Sequence, residues 1–173
     1  KQNIMATKWN LDPAHSEITF KVRHMMIANV KGEFTDFDVQ LESEDDNFKN
    51  VTAKAEIKTD SINTKSADRD THLKSADFFN VEQHPLITFT TNSMNDHVSG
   101  NITMNGITKP IDLDINYGGT SVDPWGNTKA GFSFEGKIKR SDFGLNWNAA
   151  LETGGVMVSD EVKIAGDLQF VKA

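Results

Sequence analysis

Ser16–His24 reads SEITFKVRH and alternates without a break. Ile18, Phe20, Val22 and His24 fall on one side, and Glu17, Thr19, Lys21 and Arg23 on the other. A period of two is a β-strand with one dry and one wet face. The pattern recurs along the chain. Phe37, Val39 and Leu41 form one row, and Val51, Ala53, Ala55 and Ile57 another. Ile87, Phe89 and Thr91 follow, then Val98, Gly100, Ile102 and Met104. Beyond them come Ile111, Leu113, Ile115 and Tyr117; Phe132, Phe134, Gly136 and Ile138; and Val162, Ile164, Gly166, Leu168 and Phe170. With the first run, these rows predict about eight strands.

Turn chemistry separates the rows. Asn105-Gly106 is a hairpin signal. The run from Tyr117 to Asn127, YGGTSVDPWGN, reads as a longer loop, and LESEDDNFKN (41–50) as an exposed acidic connection. Short connections predict antiparallel neighbours. The exception is Asp60–Pro85, where Ser66 can cap a helix whose first turn carries Asp68, and Ser75 can cap a second turn. One helical insertion in an antiparallel all-β chain points to a closed barrel or a sandwich. No repeat or linker divides it, so residues 9–173 read as one domain and 1–8 as an N-terminal extension.

Bulk composition narrows the function classes. The 173 residues suffice for one domain with a real core. The net charge is −7 and basic residues alternate with acidic ones, which argues against nucleic acid as a partner. The absence of cysteine removes disulfides, thiolate catalysis and cysteine-ligated zinc. No segment is apolar for long enough to span a membrane as a helix. The N-terminus, KQNIMATKWN, lacks a signal-peptide core, with Met5 a candidate start after a remnant at 1–4. That favours a cytoplasmic location, although a processed periplasmic chain would look equally plain.

The apolar rows contain small residues at mid-strand: Ala53, Ala55, Gly100, Gly136 and Gly166. Small residues can offset large ones in a tapering barrel, or they can leave room for a guest. The rows are otherwise Phe, Ile, Val, Leu and Met, with His24, Thr91 and Tyr117 as polar exceptions. A sugar or nucleotide site needs several converging polar groups; a hydrocarbon chain needs none.

Catalytic and metal readings are weaker. Five histidines form no HExxH or other tight ligand pair. Asp70, His72 and His84 can supply three ligands only if the loop folds back, and no metal or other cofactor is expected. Asp12, His15 and Ser16 carry the residue types of a hydrolytic triad, but local turn hydrogen bonds explain them better. There is no G-x-S-x-G elbow, and the glycines at 118, 119, 154 and 155 lack a phosphate-loop context. No catalytic residue is assigned.

Four blocks, in order, carry a resemblance: WNLDPAHSEITFKVRHMMIANVKGEF (9–34), RDTHLKSADFFNVEQHPLITF (69–89), GNITMNGITKPIDL (100–113) and KIKRSDFGL (137–145). Their order and spacing resemble those of the YceI-like family of bacterial lipid-binding proteins, over Trp9 to about Val171. The resemblance implies a lipocalin-like, eight-stranded antiparallel barrel with a short helical lid. It also implies a bound polyisoprenoid, such as an isoprenoid quinone tail, or another long amphiphile such as a fatty acid or fatty amide. Family members are not known as enzymes, many are periplasmic, and a homodimer is implied by resemblance only. Asn80 and His84 stand where the family often has Asp and Tyr. In the lid block, Phe78 and Phe79 are expected to cover the barrel contents. Arg69, Asp70 and His72 are expected to tie the lid down, through a buried pairing of Arg69 with Asp70 or Asp142. Arg69, His72 and His24 are the candidates for head-group contact.

The expected function is sequestration or transport of a long-chain lipid. Wall candidates are Phe20, Val22, Ala53, Ala55, Ile57, Phe89, Phe132, Phe134, Leu168 and Phe170, with Met25 and Met26 as rim residues. The alternatives are a stress-response or structural module with a filled core, and a hydrolase acting on a small amphiphile.

Overall fold

The computed structural model describes residues 6–45, 47, 48, 50–91, 97–148 and 157–173; the expectations placed on residues 1–5, Gly154 and Gly155 lie outside these. Its strands are β1 (Thr7–Leu11), β2 (Glu17–His24), β3 (Ala28–Phe34), β4 (Phe37–Ser43), β5 (Thr52–Lys58) and β6 (Ile62–Asn63). They continue with β7 (Leu86–Thr91), β8 (His97–Met104), β9 (Ile107–Val122), β10 (Thr128–Lys139) and β11 (Val158–Lys172); the helix α1 covers Ala67–Lys74.

The strands lie in the order β1-β4-β5-β7-β8-β9-β10-β11-β2-β3-β6, and a β1–β11 pairing closes the ring. β1 and β2 are halves of one bent strand laid along β11, with Asn10 opposite Val171 and Lys21 opposite Lys163. The bend is a 3-10 turn over Pro13–His15, with proline at its first position and Asp12 Oδ1 accepting from the Ala14 N–H. β3 and β4 bend at Thr35–Asp36, and β5 and β6 at Thr59–Ser61. These two bends are bonded together: the Lys58 N–H donates to the Asp36 carbonyl at 3.0 Å and the Thr35 N–H to the Ser61 carbonyl at 3.2 Å. Counting each bent pair as one leaves a closed, eight-strand antiparallel barrel with one short helix, the expected fold class.

The interior packs as two clusters. Around one end, Trp9, Leu41, Val51, Ala130, Phe132 and Phe170 are buried together. Toward the α1 end, Ile18, Phe34, Ile62, Met104, Phe143 and Leu145 belong to the other.

Two loop readings need correction. The acidic connection 41–50 is not wholly exposed: the Phe48 ring lies 4.8 Å from Trp9 and 5.0 Å from Phe132, and helps plug the barrel. The Tyr117–Asn127 stretch is mostly strand, since β9 runs to Val122 against β10, with Gly131 opposite Gly119 and Val122 opposite Thr128. Gly119 has φ +108, and the register shifts beside its partner Gly131, so the glycines absorb a bulge rather than end the ladder. The turn shrinks to Asp123–Asn127, closed by the Asp123 carboxylate accepting from Trp125 and Asn127.

Candidate functional site

Cross-strand register defines the wall. Val22 faces Val162, Phe20 faces Ile164, Phe134 faces Gly166, and Phe132 faces Leu168. On the opposite side, Ala53, Ala55 and Ile57 face Thr91, Phe89 and Ile87. The structure therefore puts all ten wall candidates, including Phe170 opposite Leu11, on the inner face. They are not equally packed. Ala55, Ile57, Phe132 and Phe170 are buried, whereas Phe20, Val22, Ala53, Phe89, Phe134 and Leu168 are only half-buried. Ile115 and Ile164, which also face inward, are half-buried as well. These inward-facing apolar side chains pack against the core yet keep part of their surface uncovered by neighbours.

The positions beside the mid-strand glycines, by contrast, are filled. Phe89 Cζ lies 2.6 Å from where a β-carbon on Gly100 would sit, and Leu113 Cδ2 lies 2.6 Å from the same point on Gly136. The Phe134 ring covers Gly166 in the same way. These small residues offset large ones on neighbouring strands.

The lid is latched differently from expectation. α1 starts at Ser66, whose Oγ accepts from the Arg69 N–H at 3.4 Å. Neither expected Arg69 pairing, with Asp70 or Asp142, forms among the described residues. Arg69 and Asp70 instead both reach back to buried Thr64, whose hydroxyl stands between them. Arg69 donates from Nε to Thr64 Oγ1 at 2.8 Å and from a terminal nitrogen to the Thr64 carbonyl at 2.9 Å. Asp70 Oδ1 accepts from the Thr64 N–H at 2.9 Å and its hydroxyl at 2.6 Å. His72 bonds Asp77 at 2.9 Å, and its ring stands 4.8 Å from Trp147. The two phenylalanines divide: Phe79 meets Phe34 of the inner core at 5.9 Å, while buried Phe78 packs against His72, Trp147 and Arg140.

Arg140 is the residue that sequence reasoning missed, beyond its place in a motif. Its buried guanidinium donates to the carbonyls of Leu145 (2.8 Å), Ser159 (3.0 Å), Trp147 (3.1 Å) and Val158 (3.3 Å). It thus ties the β10 exit to the β11 entrance beneath Phe78. Burial pushes its pKa down, against the opposing charge of Asp160. The signal for it, a lone Arg just before the left-handed turn at Gly144, looks in sequence like one more surface charge.

The remaining polar candidates do not converge. Asp70 is engaged by Thr64, His72 by Asp77, and the His84 ring lies under Gly106. Among the described residues no cluster of His, Asp or Glu has a metal-binding arrangement. His15 Nδ1 bonds Asp12 at 2.8 Å, but the Ser16 hydroxyl donates to the Asp12 carbonyl rather than to His15. His24 closes the inner row of β2, and Met25 and Met26 project beyond it into solvent.

A concavity of about 1090 Å³ is lined mainly by charged outer-face side chains such as Lys21, Lys31, Glu135, Lys137 and Lys163. It reaches the inner row at Phe20 and Ile164, but its charged lining suits no hydrocarbon chain.

Comparison with known proteins agrees with this geometry. The YceI-like domain matches residues 9–170. A UPF0312 protein of Staphylococcus epidermidis is 42% identical over 95% of this chain and 97% of its own, and one of Staphylococcus aureus is 41% identical over the same shares. The Campylobacter jejuni YCEI protein superposes with a TM-score of 0.74 at 32% identity, covering 87% of this chain and 90% of that one. A polyisoprenoid binding domain from Saccharophagus degradans shares the fold, with a TM-score of 0.70 at 16% identity over 95% and 98% of the two chains. A match across nearly the whole length, with this barrel and this inner wall, decides the family: the chain belongs to the YceI-like proteins.

Proposed function

We propose that the protein sequesters or carries a long-chain amphiphile, with its isoprenoid or acyl tail inside the barrel. One observation carries this reading: the inner wall is apolar and half-buried at Phe20, Val22, Phe89, Phe134 and Leu168, between a Trp9–Phe48–Phe132 plug and the lid. A filled core would bury those side chains. The polyisoprenoid-binding neighbour supports the same chemistry.

Burying one CH₂ group contributes about 0.8 kcal/mol, so a five-carbon isoprene unit adds roughly 3–4 kcal/mol before the cost of ordering the chain. A tail of a few units therefore binds without polar help. Selectivity then falls on chain length more than on head group, for which Arg69, His72 and His24 are the polar candidates. No step of bond making or breaking is assigned.

The test is native mass spectrometry of detergent-free protein titrated with isoprenoid quinones of increasing tail length and matched fatty amides. The reading expects one tail per chain and an affinity that climbs with length to a limit. Failure to bind any member of either series would overturn it in favour of a filled-core module.

A further inference from the structure

The β2–β3 turn is built from the wrong residues for its geometry. The Ile27 N–H donates to the His24 carbonyl at 3.2 Å, with φ +53 at Met25 and +62 at Met26. Positive φ at both positions is the left-handed region, which favours Gly, with no β-carbon, and Asn, whose short polar side chain bonds locally, over a long apolar side chain. The same chain uses Asn105-Gly106, φ +53 and +76, for its β8–β9 turn. At the β2–β3 turn two methionines occupy the strained positions instead, and they do not fold back onto the barrel. Met25, Met26 and Ile27 are 42%, 46% and 79% exposed. The turn is nonetheless held firmly, by the Met25 N–H on the Met157 carbonyl at 2.7 Å and Arg23 Nε on the Met26 carbonyl at 3.2 Å.

A second feature lies just behind this tip. Lys31 is directly opposite Lys21, Lys21 opposite Lys163, and Lys163 opposite Lys137. Four lysines thus stand in one row across β3, β2, β11 and β10 on the outer face. Like charges directly opposite one another destabilise a sheet. Among the described residues only Lys137 of the four has a carboxylate partner, Glu161 at 3.8 Å. From Lys21 to Lys31 the chain carries three basic residues and no acidic one, in a protein of net charge −7. The acidic outer residues Glu33 and Glu135 lie on the far side of the row, away from the tip. On the tip side Glu161 is paired with Lys137 and Asp160 is bonded to Ser141. Among the described residues, Arg23, Lys21, Lys31 and Lys163 therefore keep positive charge without a carboxylate partner at this corner.

We propose that this corner of the barrel docks on an anionic lipid surface, the Met25-Met26-Ile27 tip entering the bilayer and Arg23 with the lysine row facing the head groups. Lys21 and Lys31 sit four residues behind the tip, about 13 Å along the strand. Immersing the tip by a few ångströms brings these lysines within about one Debye length, about 8–10 Å at physiological salt, of the head groups. The purpose of the docking rests on the carrier reading: a water-insoluble chain has to be collected from, or returned to, a membrane, and half-buried Val22 and His24 lead inward from this same turn.

Co-sedimentation with vesicles tests it, comparing phosphatidylcholine alone with phosphatidylcholine mixed with phosphatidylglycerol. The proposal expects binding to the mixed vesicles that weakens as salt rises. It expects about tenfold weaker binding in Met25→Asn/Met26→Gly, which suits the turn and keeps the fold, and a similar loss in Lys21→Gln/Lys163→Gln. Equal binding to both vesicles, or unchanged binding in either variant, overturns it. So does self-association in vesicle-free sedimentation that the turn variant abolishes, because the tip is then an interface between copies. Native mass spectrometry with dispersed quinone separates the two readings. Vesicle docking without any lipid uptake would sink the carrier and leave the dock; uptake without docking would do the reverse.

Discussion

A β-carbon on Gly136 would come within 2.6 Å of Leu113 Cδ2 and 3.2 Å of the Asp112 carbonyl oxygen. Leu113 on β9 therefore already occupies the volume that glycine leaves on β10. Gly136→Ala should cost about 1–3 kcal/mol by overpacking, without altering which tail the barrel prefers. Urea unfolding and ligand titration on the same sample check both halves. A neutral substitution would mean that the space beside Gly136 is open after all.

Ala53 offers the contrasting position, inward-facing yet half-buried, opposite Thr91. Ala53→Phe should shift the preferred tail toward shorter chains while the fold survives. The readout is the rank order of a quinone series in competition. An unchanged order would remove Ala53 from the ligand wall.

Arg140 clamps four main-chain carbonyls from two segments. Arg140→Ala should lower stability by roughly 3 kcal/mol or more, because buried acceptors lose charge-assisted donors. Arg140→Lys should recover only part of this, since a point-like ammonium cannot serve four acceptors in a fork. The urea midpoint reports each loss. Full recovery with lysine would contradict the clamp geometry.

Acid sensitivity follows from the aspartates. His15, by a hydrogen bond, and Lys129 hold Asp12 below its ordinary pKa despite burial. For Asp160, burial pushes upward, but the Ser141 N–H and hydroxyl, with Arg140 and Lys139, outweigh it and hold the group low. A carboxylate depressed in the fold stabilises it above its unfolded pKa, near 3.9, and that stability is lost as pH falls through the lower folded value. Asp12→Asn and Asp160→Asn should each reduce stability at neutral pH and flatten the fall below about pH 4. Parallel stability curves for variant and parent would contradict the assignment.

The strained tip makes a stability prediction of its own. A left-handed conformation costs a residue with a β-carbon about 1–2 kcal/mol, and Met25 and Met26 both adopt it. Met25→Asn/Met26→Gly should therefore raise the melting temperature, by several degrees for a gain of about 1 kcal/mol. A lowered melting temperature would show that the methionine side chains stabilise the fold.

The barrel was legible because the period of two is insensitive to detail. From Ile18 through Phe170, every apolar row in the sequence falls on the inner face. The bent first halves were harder. Ala28–Phe34 carries Val30, Gly32 and Phe34 on its inner row, and the glycine interrupts the apolar signal that would mark it as a strand. Phe48 was hidden by its acidic neighbours, although ring contacts reaching Trp9 and Phe132 make it a plug. Thr64 gives no sequence signal at all. A threonine in a loop becomes the anchor of the lid only because Arg69 and Asp70, side by side on α1, both point back to it.

Solvent extraction and mass spectrometry of protein purified without detergent, followed by reconstitution of any apo fraction with quinones and fatty amides, tests the central claim most directly. The account predicts a stoichiometric prenyl or acyl species, carried through purification or taken up on addition, with a defined tail length. A chain that emerges empty and refuses every added tail would contradict it, and the half-buried wall would then belong to a barrel that holds nothing.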